Sequence, residues 1–169
     1  MKNGLIKSSR KDLSIIATFI EEATVCMITT VDHNGGLSSR PMLVEELDEE
    51  GNLWLFTLAN SLLMEEIRKI PVVNLTFTSG KNKFLSARAI GYEDFDKEKL
   101  TELWDPSLKR WFKEGLATPE ITLLKLDMQE VEYWVTPDSS EFRVINFLRS
   151  ITDVDLESTE IYKKVDMTQ

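Results

Sequence analysis

Val25–Leu58, VCMITTVDHNGGLSSRPMLVEELDEEGNLWLFTL, carries two hairpin signals in succession, and its reading decides the fold. Val25 to Val31 is short and rich in β-branched residues, which fits a strand better than a helix. Asp32-His33-Asn34-Gly35-Gly36 follows. Asn-Gly and Gly-Gly tolerate the positive φ of tight hairpins, so Leu37 to Leu47 is predicted to pair antiparallel with the first strand. Ser39-Arg40-Pro41-Met42 interrupts that second strand. Proline cannot donate to a ladder, so this is an edge, a bulge or a place where backbone groups face a ligand. Asp48-Glu49-Glu50-Gly51-Asn52 is the second turn. Leu53 to Leu58 then places Trp54 and Phe56 on one face and Leu53, Leu55 and Thr57 on the other, which predicts a central strand buried on both sides.

Downstream, Asn60-Ser61 opens a helix with Leu63, Ile67 and Ile70 at helical spacing, and Pro71 stops it. Helix starts present free N–H groups to anions. The interrupted strand, the end of the central strand at Phe56-Thr57 and this helix start together predict a site for a planar, phosphorylated molecule. Val72 to Thr78 and Lys83 to Glu93 read as further strands around Ser79-Gly80-Lys81-Asn82, with Gly91 marking a bulge or a close backbone approach. Asp96 to Trp104 and Ser107 to Phe112 read as short helices. Ile121 to Val135 is a strand pair or one long strand bending at Asp127 to Glu130.

Upstream, Leu13, Ile16, Ala17 and Ile20 lie at i, i+3, i+4 and i+7, an amphipathic helix capped by Ser9 in a box with Asp12 and ending near Ala23. Asp138 and Glu141 have the capping-box spacing for a last helix to about Ile151, and residues 152–169 read as a loose polar tail. About six strands in hairpin order exclude a parallel βαβ sheet and predict a mainly β chain: a small antiparallel, Greek-key-like barrel with peripheral helices. The 169 residues suit one domain, with its core from about 10 to 150.

A formal charge of −9 without a basic tract argues against nucleic acid, and no apolar run approaches a membrane span. Cys26 is alone, which excludes an internal disulfide and fits a reducing cytoplasm. His33 is the only histidine and sits in a glycine turn, so a histidine-ligated metal and a Ser-His-Asp triad lack parts. The pairs Glu21-Glu22, Glu45-Glu46, Glu49-Glu50 and Glu65-Glu66 read as solvated charge. Neither a Gly-x-Gly-x-x-Gly nor a Walker loop is present. What remains is binding of a group that brings its own reactivity, such as a flavin. On composition alone Trp54, Phe56, Trp104 and Trp111 read as core rather than as a cofactor site.

The ordered set VCMITTVDHNGG, LSSRPM, Gly-x-Leu-Trp-Leu-Phe-Thr, x-x-Ser-x-x-x-Glu-Glu-Ile, Pro-x-Val-Asn-Leu, Leu-Trp-x-Pro-x-x-x-x-Trp-Phe and Glu-Tyr-Trp resembles the pyridoxamine 5'-phosphate oxidase-like split barrels, in particular their general stress protein branch. The resemblance covers Ile15 to about Leu148. It implies a six-stranded split β-barrel and a homodimer with FMN in a groove at the subunit interface. Arg40, Pro41 and Met42 would then lie along the flavin ring, and Phe56 and Thr57 beside the ribityl chain and phosphate. Asn60-Ser61 would form the phosphate end, with Ser61 donating to it, and Trp111 would reach the flavin from the partner subunit or close the groove.

One departure from the pattern matters. Relatives commonly carry Ser-Pro-Lys where this chain has Ser61-Leu62-Leu63, so Leu63 replaces the lysine that meets the phosphate. A lost charge-assisted contact costs about 1.5 to 3 kcal/mol, roughly ten- to a hundredfold in affinity. Two readings stay open: an FMN-dependent oxidoreductase of unknown substrate, and a split-barrel dimer with a weakened flavin site acting as a non-catalytic stress or binding protein. Pyridoxamine phosphate oxidation itself is a weaker third, because no basic and histidine cluster stands ready for a second phosphorylated substrate.

Overall fold

The computed structural model describes residues 6–7, 10–135 and 161–168. Its elements are β1 (Ile6–Lys7), α1 (Arg10–Ala23), β2 (Val25–Val31), β3 (Leu37–Leu43), β4 (Glu46–Leu47), β5 (Asn52–Leu58), α2 (Leu62–Lys69), β6 (Val72–Ser79), β7 (Lys83–Asp94), α3 (Lys97–Glu102), 3-10 turns at Pro106–Arg110 and Gly115–Ala117, β8 (Ile121–Val135) and β9 (Ile161–Asp166). The Ser9 cap and the last helix expected after Asp138 lie outside the described residues.

The first hairpin forms as its turn chemistry predicts, with Met27 opposite Pro41 and Ile28 opposite Arg40. Asp32 organises the turn by accepting the N–H groups of Asn34 at 2.7 Å and Gly36 at 2.9 Å, and Gly35 takes φ +82. The second strand does not run unbroken to Leu47. It ends at Leu43, and the chain changes partner. Val44 donates its N–H to the Thr24 carbonyl beside β2, whereas Glu45 donates to the Trp54 carbonyl of β5, each at 3.0 Å. β4 then pairs with β5 across the second turn, where Asp48 accepts from the Asn52 N–H at 2.8 Å and from Trp54 Nε1 at 2.9 Å.

Around the barrel the strands run β3, β2, β6, β7, β8, β5, β4, all antiparallel. Because β4 follows β3 in the chain, the sheet closes at that corner and stays open between Pro41-Met42 of β3 and Phe56-Thr57 of β5. It is a split barrel. Six strands have seven residues or more, in accord with the expected six, and β1, β4 and β9 are shorter.

β5 is buried on both faces, as its sequence predicts. Leu53 and Leu55 join the main core with Ile16, Phe19, Ile28, Phe77, Leu124 and Tyr133. Trp54 and Phe56 join a second cluster with Leu100, Leu108 and Leu123 beneath α3 and the 3-10 turns. On α1, Leu13 is 37% exposed, whereas Phe19 is buried with Ile16 and Ile20 in the main core. β8 is one long strand. Its register slips between Arg88↔Glu130 and Ala89↔Met128, which leaves Gln129 as the extra residue of a bulge inside the expected bend. Gly91 is instead a close approach, since a Cβ there would stand 3.0 Å from Ile67 Cγ2. Within the tail read as loose, Ile161–Asp166 form a strand: β9 pairs with the second half of β8, Val165 lying opposite Val131. The β-forming residues Ile161, Tyr162 and Val165 were the signal for this strand, set among charges.

Asp96 caps α3 by accepting the N–H of Glu98 at 2.9 Å, and Asp105 caps the following turn through the N–H of Ser107 at 2.7 Å, so both helical pieces start one residue after an Asp. α1 ends differently. Thr24 occupies the left-handed region at φ 55, and its N–H returns to the Ile20 carbonyl at 2.9 Å. Glycine is the usual residue here because a β-branched side chain is strained at positive φ. Thr24→Gly is expected to raise stability by up to about 1 kcal/mol, read as a melting temperature higher by roughly 2–4 °C.

Candidate functional site

The split between β3 and β5 holds a cavity of about 480 Å³. β3 supplies Pro41, Met42 and Leu43; β5 supplies Phe56, Thr57 and Leu58; Ser61 stands at the start of α2; Leu108, Trp111 and Phe112 come from the Pro106 turn. Val25 and Glu45 complete the lining. The far wall is aromatic. Phe56 meets Trp104 edge-on with centroids 5.6 Å apart, and Phe112 lies 6.1 Å from Phe56. Trp111 stands beside it with 71% of its surface exposed. At the helix end, Thr57 and Ser61 share a hydrogen bond of 3.3 Å, and Ser61 Oγ accepts the Met64 N–H at 3.3 Å as the N-cap.

Pro41, Met42, Phe56, Thr57, Ser61 and Trp111, expected at the site, come together around this cavity. Arg40, Asn60 and Leu63 are not in its lining. Alternation along β3 puts Arg40 on the face opposite Pro41, where it bonds Glu66 Oε2 and Ser38 Oγ, each at 2.8 Å, and leaves Nη1 buried without a partner. Asn60 is exposed. Leu63 is 4% exposed and packs in the main core, so a lysine there would need to leave the core to reach a phosphate. No lysine or arginine lines the cavity among the described residues.

Two carboxylates are not the solvated charges that their neighbours suggest. Glu66 is 4% exposed and receives Thr30 Oγ1 at 2.6 Å as well as Arg40. Burial raises its pKa, but the hydrogen bonds from Thr30 and Arg40 outweigh that and hold it below the ordinary 4.5. Glu45 lines the cavity, and its Oε1 is buried without a hydrogen bond. Burial first, and then the Asp105 carboxylate, push Glu45 above its usual range. Adjacent acidic residues gave no hint of either role. The signal was positional: Glu45 lies where strand alternation fails, and Glu66 lies on the apolar face of α2 with Leu63 and Ile67. The Cys26 thiol is also buried, and burial pushes it up to about 12, which leaves it a poor nucleophile.

The Glu66 pair yields a test with a defined sign. A carboxylate with a lowered folded pKa stabilises above its unfolded pKa, and that gain is lost as pH falls through the folded value. Glu66→Gln should cost about 3 kcal/mol at neutral pH, near the low end for a buried pair because the Arg40 side chain keeps 22% exposure. The gap between wild-type and variant urea midpoints should narrow as pH falls below 4.5. A gap that stays constant with pH would remove Glu66 as the cause.

A sequence model described as pyridoxamine 5'-phosphate oxidase like matches residues 11–156. No curated protein sequence matches the chain. Among solved structures, a Clostridium acetobutylicum protein related to general stress protein 26 aligns with TM-score 0.67 and 19% identity over 76% of this chain and 91% of its own. A general stress protein 26 from Jannaschia aligns with TM-score 0.66 and 19% identity over 94% and 99%. A general stress FMN/FAD binding protein from Xanthomonas citri aligns with TM-score 0.66 and 23% identity over 80% and 96%. At such identities these likenesses bear on the fold, and they agree with the split barrel described above. With the family match spanning most of its length, the chain belongs to the pyridoxamine 5'-phosphate oxidase-like family.

Proposed function

We propose that this chain binds FMN in the split between β3 and β5 as a homodimer, and acts as a flavin-dependent oxidoreductase of the general stress type. The cavity carries the reading. It joins a largely apolar space, lined by Phe56 and Phe112 together with Pro41 and Met42, to a hydroxyl pair at a helix start. The slot suits a ring, and Thr57, Ser61 and the helix N-terminus suit a phosphate. The Xanthomonas citri relative is described as FMN/FAD binding, which supports the same ligand class. When bound, a flavin supplies hydride transfer at its isoalloxazine ring. The residues of this chain would orient the ring, receive the phosphate and exclude water.

The exposed side of the cavity supports the dimer. Val25, Met27, Leu37 and Leu43 lie on the outer face of the β2–β3 hairpin with 37–78% exposure, and Trp111 stands free beside them. A second copy laid on this face would bury them and cover the slot. The buried, unreactive Cys26 is compatible with a reducing cytoplasm.

The absence of a cation from the described lining favours a second reading, a split-barrel dimer with a weakened flavin site and a binding or structural role. The visible spectrum of purified protein decides between them. Flavin bands near stoichiometric amounts are expected. Colourless protein that takes up no FMN at micromolar concentration would leave the second reading. Ser61→Ala should weaken FMN about tenfold or more and lower stability by about 1 kcal/mol through the lost cap. Light scattering should report a dimer, and a monomer that binds FMN fully would remove the interface from the proposal.

A further inference from the structure

The turn at Pro106–Arg110 and the residues just after it give the cavity Leu108, Trp111 and Phe112, and the same stretch carries Lys109, Arg110 and Lys113. The N–H groups of Trp111 and Phe112 both donate to the Leu108 carbonyl at 2.9 Å, so the three lining residues are held on one turn. Each cation is the chain neighbour of one of them, with Cα atoms about 3.8 Å apart. All three cations are exposed, and none has an ion-pair partner among the described residues. Gly115 lies between Lys109 and Trp104: a Cβ there would stand 3.8 Å from Lys109 Cε and 3.6 Å from Trp104 Cζ2. The lysine stem thus runs beside the aromatic wall that Trp104 shares with Phe56.

Between Pro106 and Thr118 the only acid is Glu114, in a chain whose formal charge is −9. Two further acids oppose the patch, Asp105 at the start of the turn and Glu45 in the lining, and burial pushes Glu45 toward its neutral form. Other cations are engaged elsewhere. Arg40 is bound to Glu66, Lys99 to Glu46, and Lys125 sits 5.2 Å above the Trp54 ring.

We propose that Lys109, Arg110 and Lys113 form an electropositive lip that draws a phosphate-bearing planar ligand into the cavity and favours it over the same ring without phosphate. This rests on the flavin reading of the split, and it adds a source for the positive charge that the lining lacks. A phosphate monoester carries close to two negative charges at neutral pH, and a chain this acidic repels it at long range. Cations gathered at the entrance reverse that field locally. Long, solvated side chains act here through the field rather than through one fixed contact, so the effect falls on the rate of encounter and fades with salt.

The test measures association of FMN and of riboflavin with the full chain by stopped-flow flavin fluorescence, at about 10 mM and about 500 mM salt. Wild-type protein is expected to capture FMN at least about tenfold faster at low salt than at high salt, and riboflavin at the same rate in both. Replacing the three cations together, by Lys109→Gln, Arg110→Gln and Lys113→Gln, should slow FMN about tenfold at low salt while leaving the riboflavin rate and the melting temperature unchanged. Arg110→Glu alone should slow FMN in the same sense. An FMN rate that the triple replacement leaves unchanged, or one that falls equally for riboflavin, overturns the lip while leaving FMN binding in place. Binding of riboflavin but not of FMN overturns the lip together with the phosphate arm of the functional reading. Failure of both ligands to bind overturns both proposals.

Discussion

Two backbone hydrogen bonds at one corner set the shape of this protein. Val44 donates toward β2 and Glu45 toward β5, so consecutive residues belong to opposite sides of the barrel. The ladder can therefore close through β4 but not above it, where β3 carries Pro41 and has no N–H to offer there. A slot remains between two strands that are neighbours in space without being paired. Everything that makes the site distinctive lies on the margins of that slot: the proline strand, the aromatic cluster behind Phe56, and the start of α2.

The same corner explains the contrast between two glutamates. Glu66 is buried and matched, with a hydroxyl and a guanidinium supplied by β2 and β3, so it fastens α2 to the hairpin that forms one wall of the slot. Glu45 is withdrawn from water and unmatched. A buried polar group with partners stabilises a structure, while one without them is held there at a cost that the rest of the fold offsets. Arg40 is matched only in part, through Nη2 to Glu66 and Ser38, with Nη1 left unpaired. Its motif suggests a ligand contact, but one inward-facing strand position can serve only what lies on its own face, and that is α2.

Much of the fold was legible because it rests on local chemistry. Asn34-Gly35-Gly36 and Asp48 through Asn52 build the turns their residues favour, the two faces of β5 follow from simple alternation, and Ser61 caps α2 where a hydroxyl was expected. The misreadings share one cause, which is that packing between distant segments outweighed a local pattern. On α1 Phe19 is buried and Leu13 is left half-exposed, and Ile161–Asp166 form a strand because an edge of β8 accepts β9.

The sequence by itself determined the strands, the hairpin turns and half of the residues that line the slot, since hydrophobic period, turn propensity and proline geometry act over a few residues. Only the tertiary structure decided that Leu63 faces the core, that Arg40 is spent on Glu66, and that Glu45 is left with an unmatched oxygen. Those outcomes depend on which groups from separate strands and helices come within hydrogen-bonding distance, and that is a property of how the sheet curls rather than of any one stretch of chain.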